Sequence, residues 1–126
     1  QNSNCPRGYF QANYPTNERE YISYVLSAVH QTVGPNQITR IDNRGRHVKR
    51  APVAVLLAAP GSKELHWVSI VDVEFNGDRS CSMVINHWGK QDRLPCSKVA
   101  EWSRKVASEY GGLGLKPYTM IEFVRY

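Results

Sequence analysis

The chain has 126 residues, of which 41% are hydrophobic and 10% aromatic, a composition typical of one folded domain and not of a disordered chain. Its 16 basic and 11 acidic residues give a net charge of +5, and no apolar run is long enough to cross a bilayer. No signal peptide is expected in this stretch, because it does not begin with a basic region followed by an apolar one. A basic cluster at 40–50 suits an anionic partner or a solvated loop.

The first strong element is a helix. Asn17 can cap it, and Glu20 follows three residues later, as in a capping box. Apolar residues between 21 and 29 recur at helical spacing and form one stripe. Gly34 and Pro35 end the helix. Residues 1–16 are polar and rich in turn formers, and no element is predicted there.

Strands dominate the middle of the chain. The continuously apolar stretch 53–59 predicts a strand that is buried on both faces at the centre of a sheet. Residues 66–75 are rich in β-branched side chains and predict the next strand. The Asn-Gly-Asp sequence at 76–78 predicts a tight hairpin turn, and residues 82–86 form the returning strand.

A second helix over 95–110 follows this central hairpin, and a last strand over 118–124 closes the chain. The order of elements predicts a single α+β domain spanning residues 1–126. Its N-terminal helix packs on a mostly antiparallel sheet.

Two polar residues at the ends of the hairpin are the first candidates for a site. His66 opens one strand and Asn86 closes the other, so a turn centred on 76–78 is expected to bring them together. An Asn carbonyl can accept the proton of one imidazole nitrogen and so fix the tautomer of the ring. The other nitrogen is then free to take a proton from a nucleophile. His87 alternates to the opposite side from Asn86 and is expected to be exposed.

These segments resemble the second half of papain-like cysteine peptidases. HWVSIV at 66–71 matches a family strand that opens with His, and VINHWG at 84–89 matches a returning strand that ends in N-x-W-G. The size of the chain is similar to that of compact bacterial members, such as bacteriocin-processing peptidase domains and papain-fold toxin or effector domains. The resemblance implies that His66 is the general base, that Asn86 orients it and that Trp88 shields their contact.

The resemblance also implies a cysteine nucleophile near the N-terminus, with a Gln before it as oxyanion donor. Cys5 is the cysteine of that region and Gln1 the matching Gln, although the family's usual spacing and continuation are missing. The chain has three cysteines, and this odd count argues against a disulfide framework, while one pair plus one free thiol stays open. Cys81 is expected to be a small core residue, and Cys96 is a minor alternative nucleophile.

The predicted function is a cysteine-dependent hydrolase or transferase that acts on a peptide or side-chain amide bond through a Cys-His-Asn triad. Deamidase and transglutaminase activity fall within the same chemistry. One alternative is a small basic ribonuclease toxin that uses the histidines His30, His47, His66 and His87. Another is a catalytically inactive papain-like binding module.

The resemblance further implies a toxin or effector role, with secretion or delivery into a target cell and otherwise a cytoplasmic location. No cofactor or metal is expected, because no cysteine or histidine pair has the spacing of a metal site. The expected partners are a protein or peptide substrate and an acidic inhibitor or immunity protein. Nucleic acid is a partner only under the ribonuclease alternative.

Overall fold

The structure is a computed structural model that describes residues 7–29, 40–41, 44–45, 47–48, 53–60, 63–78 and 80–125. The described part of the chain is α+β, as predicted, and a papain-like fold is not confirmed. Its elements in chain order are β1 (Gly8–Asn13), α1 (Glu18–Val29), β2 (Arg40–Ile41), β3 (His47–Val48), β4 (Val53–Leu57), β5 (His66–Phe75), β6 (Cys81–His87), β7 (Lys90–Pro95), α2 (Cys96–Tyr110), a 3-10 helix (Gly111–Leu113) and β8 (Met120–Arg125).

Six strands form one antiparallel sheet in the order β1-β8-β4-β5-β6-β7, and β2 pairs with β3 in a separate two-stranded sheet. The apolar strand β4 lies inside the sheet, and four of its five residues are buried. This confirms the prediction from its uninterrupted apolar run. The two ends of the sheet are β1 and β7, and neither was predicted as a strand.

Both helices contribute to one main core with the central strands. Tyr21 and Val25 of α1 and Val99 and Ala100 of α2 are each fully buried there. The sheet supplies the rest of this core through the residues Val53, Val55, Leu57, Val68, Ile70, Val73, Cys81, Met83, Ile85 and Met120. Among the described residues, no helix is long and apolar enough to span a membrane.

The start of α1 follows the predicted cap. The side-chain oxygen of Asn17 accepts a hydrogen bond from the backbone N–H of Glu20 at 2.8 Å. The carboxylate of Glu20 accepts a hydrogen bond from the Thr16 hydroxyl, also at 2.8 Å. The cap therefore joins the two residues Thr16 and Asn17 to the first turn of the helix.

Candidate functional site

His66 is the first residue of β5 and is half-buried. It lies on the same face of the strand as Val68 and Ile70, which are buried in the main core. The ring therefore stands at the end of the sheet, on the face that the helices cover. The packing of β5 in the main core therefore fixes the position of the His66 backbone.

The ring that contacts His66 belongs to His87, the last residue of β6. Its Nδ1 lies 3.2 Å from Nε2 of His66, and the His87 side chain is only 20% exposed. The expectation that His87 would be exposed is therefore wrong. His87 lies on the same face of the sheet as Ile85 and Met83. His66 also lies on this face, so the two rings can contact each other.

Asp92 of β7 completes a chain of three side chains. Its Oδ2 lies 2.5 Å from Nε2 of His87. The register pairs Asp92 with Ile85 and His87 with Lys90, so Asp92 and His87 are diagonal neighbours on one face. We call these three residues the His66–His87–Asp92 relay.

The relay determines which nitrogen of His66 is free. A carboxylate can only accept, so Asp92 accepts the hydrogen of His87 Nε2, and Nδ1 of neutral His87 is left as an acceptor. Nε2 of His66 then donates to that nitrogen. The lone pair of neutral His66 is consequently on Nδ1, where it can take a proton from a nucleophile or a water molecule.

The pKa of His66 is lowered from its ordinary value of 6.5. Burial is the larger cause, because it disfavours the charged ring, and the electrostatic influence of the neighbouring His87 adds to it. At neutral pH the ring is therefore in the unprotonated form that a general base requires.

Trp88 covers this pair of rings from the solvent side. Its ring centroid lies 4.2 Å from that of His66 and 5.5 Å from that of His87. Trp88 and Gly89 form the two-residue turn between β6 and β7, and both have positive φ, of 48° and 73°. The resemblance implied that Trp88 shields a contact between His66 and Asn86. The Trp88 ring instead lies against His66 and His87, while 82% exposed.

Asn86 does not orient His66. Its partner across the β5–β6 pair is Ser69, three residues from His66, and its side-chain oxygen accepts a hydrogen bond from Gln91 at 3.2 Å. Among the described contacts there is no hydrogen bond between Asn86 and His66.

The reason is the register of the hairpin. The connection between β5 and β6 comprises the five residues 76–80 and not the tight turn predicted at 76–78, and a β-bulge lies between Ile70 and Asp72. Together these changes move the partner of Asn86 by three positions along β5. An odd shift also changes the face of the sheet on which the side chain lies, so Asn86 and His66 are on opposite faces.

The predicted nucleophile Cys5 and the predicted oxyanion donor Gln1 lie outside the described residues, as do His30 and the side chain of His47. The nearest described strand residue to Cys5 is Gly8, at the start of β1. This strand runs toward the His66 end of the sheet, and Gly8 is at the opposite end.

The sheet register gives the separation. Asn13, at the end of β1, is level with Val68 of β5. Gly8 lies five residues from this level toward one end of the sheet, and His66 lies two residues from it toward the other end. With about 3.3 Å per residue over seven residue steps and about 4.8 Å per strand over three strand spacings, Gly8 is roughly 27 Å from His66.

The other two cysteines form a disulfide bond between Cys81, the first residue of β6, and Cys96, the first residue of α2. They are 9% and 2% exposed. Cys96 is therefore not a nucleophile, because a disulfide sulfur carries no thiolate. The odd count of cysteines had left open one disulfide plus one further cysteine, and the Cys81–Cys96 bond is that disulfide.

The described residues contain no group of three or more histidine, cysteine, aspartate or glutamate side chains that could hold a metal ion. Both nitrogens of His87 are already used within the relay. The chemistry available at this site is proton transfer by His66.

Comparison with known proteins identifies no relative. No family model matches the chain, and no match was found among curated proteins or among solved structures. The papain-like assignment thus depends on the two sequence motifs at 66–71 and 84–89 alone.

Proposed function

We propose that the protein is a hydrolase of amide bonds in which His66 is the general base and the pair His87–Asp92 orients it. The observation that supports this is the relay, with contacts of 3.2 Å and 2.5 Å that leave Nδ1 of His66 free. His66 takes the proton of the attacking group and returns it to the leaving amine. Asp92, acting through His87, stabilises the positive charge that develops on the ring.

The attacking group follows one of two routes. In the thiol route inferred from the sequence, Cys5 attacks the carbonyl carbon and His66 removes its proton. The distance of Gly8 from His66 opposes this route, because the three residues from Gly8 to Cys5 span at most about 11 Å. In the second route His66 activates water directly, and no cysteine is needed. Retention of activity in Cys5→Ala would select the water route, and its loss would select the thiol route.

The proposal is tested by three single variants, assayed against a pooled library of internally quenched peptides and, for ammonia release, against glutaminyl peptides. His66→Ala is expected to lower kcat by at least about 100-fold, the usual contribution of a general base. His87→Ala is expected to lower kcat by about tenfold or more, because the base loses its orienting partner.

The matched control is Asn86→Ala, which removes the side chain predicted from the sequence as the orienter. It is expected to leave kcat unchanged, since Asn86 contacts Gln91 and not His66. A wild-type protein that hydrolyses none of these peptides, or a fully active His66→Ala variant, would contradict the proposal.

RNA cleavage is the second candidate, and two observations favour it. The described site has a histidine base without a thiol, since Cys81 and Cys96 are bonded to each other, and the chain carries a net charge of +5. Degradation of single-stranded RNA that survives iodoacetamide and is lost in His66→Ala would replace the amide proposal by this one.

We also propose that the protein works outside the reducing cytosol, as a secreted or delivered toxin or effector. The Cys81–Cys96 disulfide supports an oxidising environment, because such bonds persist in secreted proteins and are rare in the cytosol. The net positive charge supports an acidic protein as its inhibitor. Co-purification of an acidic protein that blocks hydrolysis would test this role.

A further inference from the structure

We propose that the Cys81–Cys96 disulfide is a positioning element of the site, because it fixes the register of β7 and so holds Asp92 against His87. The structural part of this proposal, the register of β7, is independent of the reaction. Its effect on rate rests on the proposed function.

The disulfide closes the hairpin that carries two members of the relay. Strands β6 and β7 are joined at one end by the turn Trp88-Gly89, with His87 directly before the turn and Asp92 shortly after it. At the other end Cys81 begins β6, and Cys96 directly follows the last residue of β7. The bond therefore joins the open ends of this hairpin and makes it a closed ring.

Strand β7 has little else to specify its register. It is an edge strand, and five of its six residues are exposed, with only Leu94 half-buried. Its sequence KQDRLP shows no sustained apolar alternation, so burial does not discriminate strongly between one pairing and the next. A slip by one residue would move Asp92 to the opposite face of the sheet, away from His87.

The other contacts of β7 across the sheet are weak. The Arg93–Glu74 ion pair is 2.6 Å long, but its side chains are 63% and 42% exposed. The Gln91–Asn86 hydrogen bond is also exposed. The turn itself is unfavourable for its first residue, because Trp88 has a positive φ that Asn or Gly would adopt more readily. The buried disulfide is the covalent link that selects the observed pairing.

A double-mutant cycle tests the proposal on the full chain. The variants are Cys81→Ala/Cys96→Ala, Asp92→Asn and the combination of all three. Removal of the disulfide is expected to lower kcat by at least about tenfold, because the orienting carboxylate is displaced. In the Asp92→Asn background the same removal is expected to have no further effect on kcat, since the group it positions is already lost. Effects that multiply in the combined variant would overturn the proposal.

The control for general destabilisation is Val106→Ala, a fully buried residue of α2 in a second core cluster away from the hairpin. This variant is expected to be less stable and to keep its kcat. A comparable loss of kcat in Val106→Ala, measured well below its melting temperature, would show that stability and not register is responsible.

A structural readout separates this proposal from the proposed function. In the wild-type protein, a nuclear Overhauser signal between the carbon-bound ring hydrogens of His87 and the β hydrogens of Asp92 is expected in NMR spectra, and it should vanish in Cys81→Ala/Cys96→Ala. Persistence of that signal in the variant would overturn the positioning role even if no hydrolysis were found. Loss of the signal without any hydrolysis by the wild type would contradict only the proposed function.

Native-state hydrogen exchange of the wild-type protein serves if the variant does not fold. The β7 amides that bond to β6 are expected to be protected as strongly as those of β5, because the closed hairpin cannot fray from its open end. Exchange of these amides at the rate of a frayed edge would contradict a clamped register.

Discussion

At the scale of single residues, the identity of the orienting group is decided by which side chains share a face with His66. His87 and Asp92 lie on that face, and Asn86 lies on the other. Trp88 also contacts these rings, but its backbone is strained. A positive φ in a residue other than glycine costs on the order of 1–3 kcal/mol. The contact of its ring with His66, at 4.2 Å between ring centroids and tilted by 36°, offsets part of this cost.

The pH dependence of the reaction follows from the lowered pKa of His66. The base is active when neutral, so kcat/KM is expected to fall with decreasing pH only below 6.5, the ordinary value for histidine. In His87→Gln the electrostatic influence of His87 on His66 is removed, and the acid limb should move to higher pH. Rate measurements between about pH 4 and 8 give the acid limb of the wild type and that of the variant.

Stability should follow the same group. Below pH 6.5 the unfolded chain binds the His66 proton more readily than the folded one, so this contribution to stability is present above that pH and is lost as pH falls toward the lowered pKa. His66→Ala is expected to reduce that pH dependence.

For the rate profile, an acid limb of kcat/KM that does not move in His87→Gln, while Asn86→Ala moves it, would contradict the assignment of His87.

At the scale of elements, the central strands and both helices were predictable, while both edge strands were missed. β1 has the sequence GYFQAN, and the edge strand β7 has KQDRLP, so neither shows the apolar pattern of a strand with a buried face. They are strands because the neighbours β8 and β6 offer backbone partners. The start of helix α1, by contrast, was predictable, because the cap residue Asn17 bonds to the first turn as the sequence indicated.

The cap of α1 provides a test at this scale. Asn17→Ala is expected to lower the free energy of unfolding by about 1 kcal/mol, because the backbone N–H of Glu20 loses its acceptor. Denaturant titration followed by circular dichroism measures the change. Asn17→Asp keeps an acceptor at the same place and is the matched control, so an equal loss in both variants would argue against capping.

At the scale of the whole molecule, one disulfide ties the peripheral hairpin to the core. Cys81 and Cys96 are 15 residues apart in the chain, and both belong to the main core cluster. The bond thus links the start of β6, the strand next to the edge of the sheet, to the start of α2. It also leaves Cys5 as the one remaining cysteine of the sequence.

Removal of this bond should have a measurable effect on stability. Cys81→Ala/Cys96→Ala is expected to lower the free energy of unfolding by about 3 kcal/mol, the loop-closure value for a ring of this length. Guanidinium titrations of the variant and the wild type give the difference. A loss below about 1 kcal/mol in the double variant would contradict a clamping role.

The features that depend on neighbours in the chain were predictable: the apolar period of α1 and its cap at Asn17, the buried strand β4, the long strand that begins at His66, and His66 as the candidate base. The three-dimensional fold assigned His66 its partner, because a five-residue connection and a bulge set the register of β6 against β5. It also decided the disulfide and the position of Asp92, since both depend on an edge strand whose pairing no local pattern encodes. Periodicity, caps and turns are local properties, whereas the partner of a side chain in a sheet depends on strand register, and one residue of slip changes it.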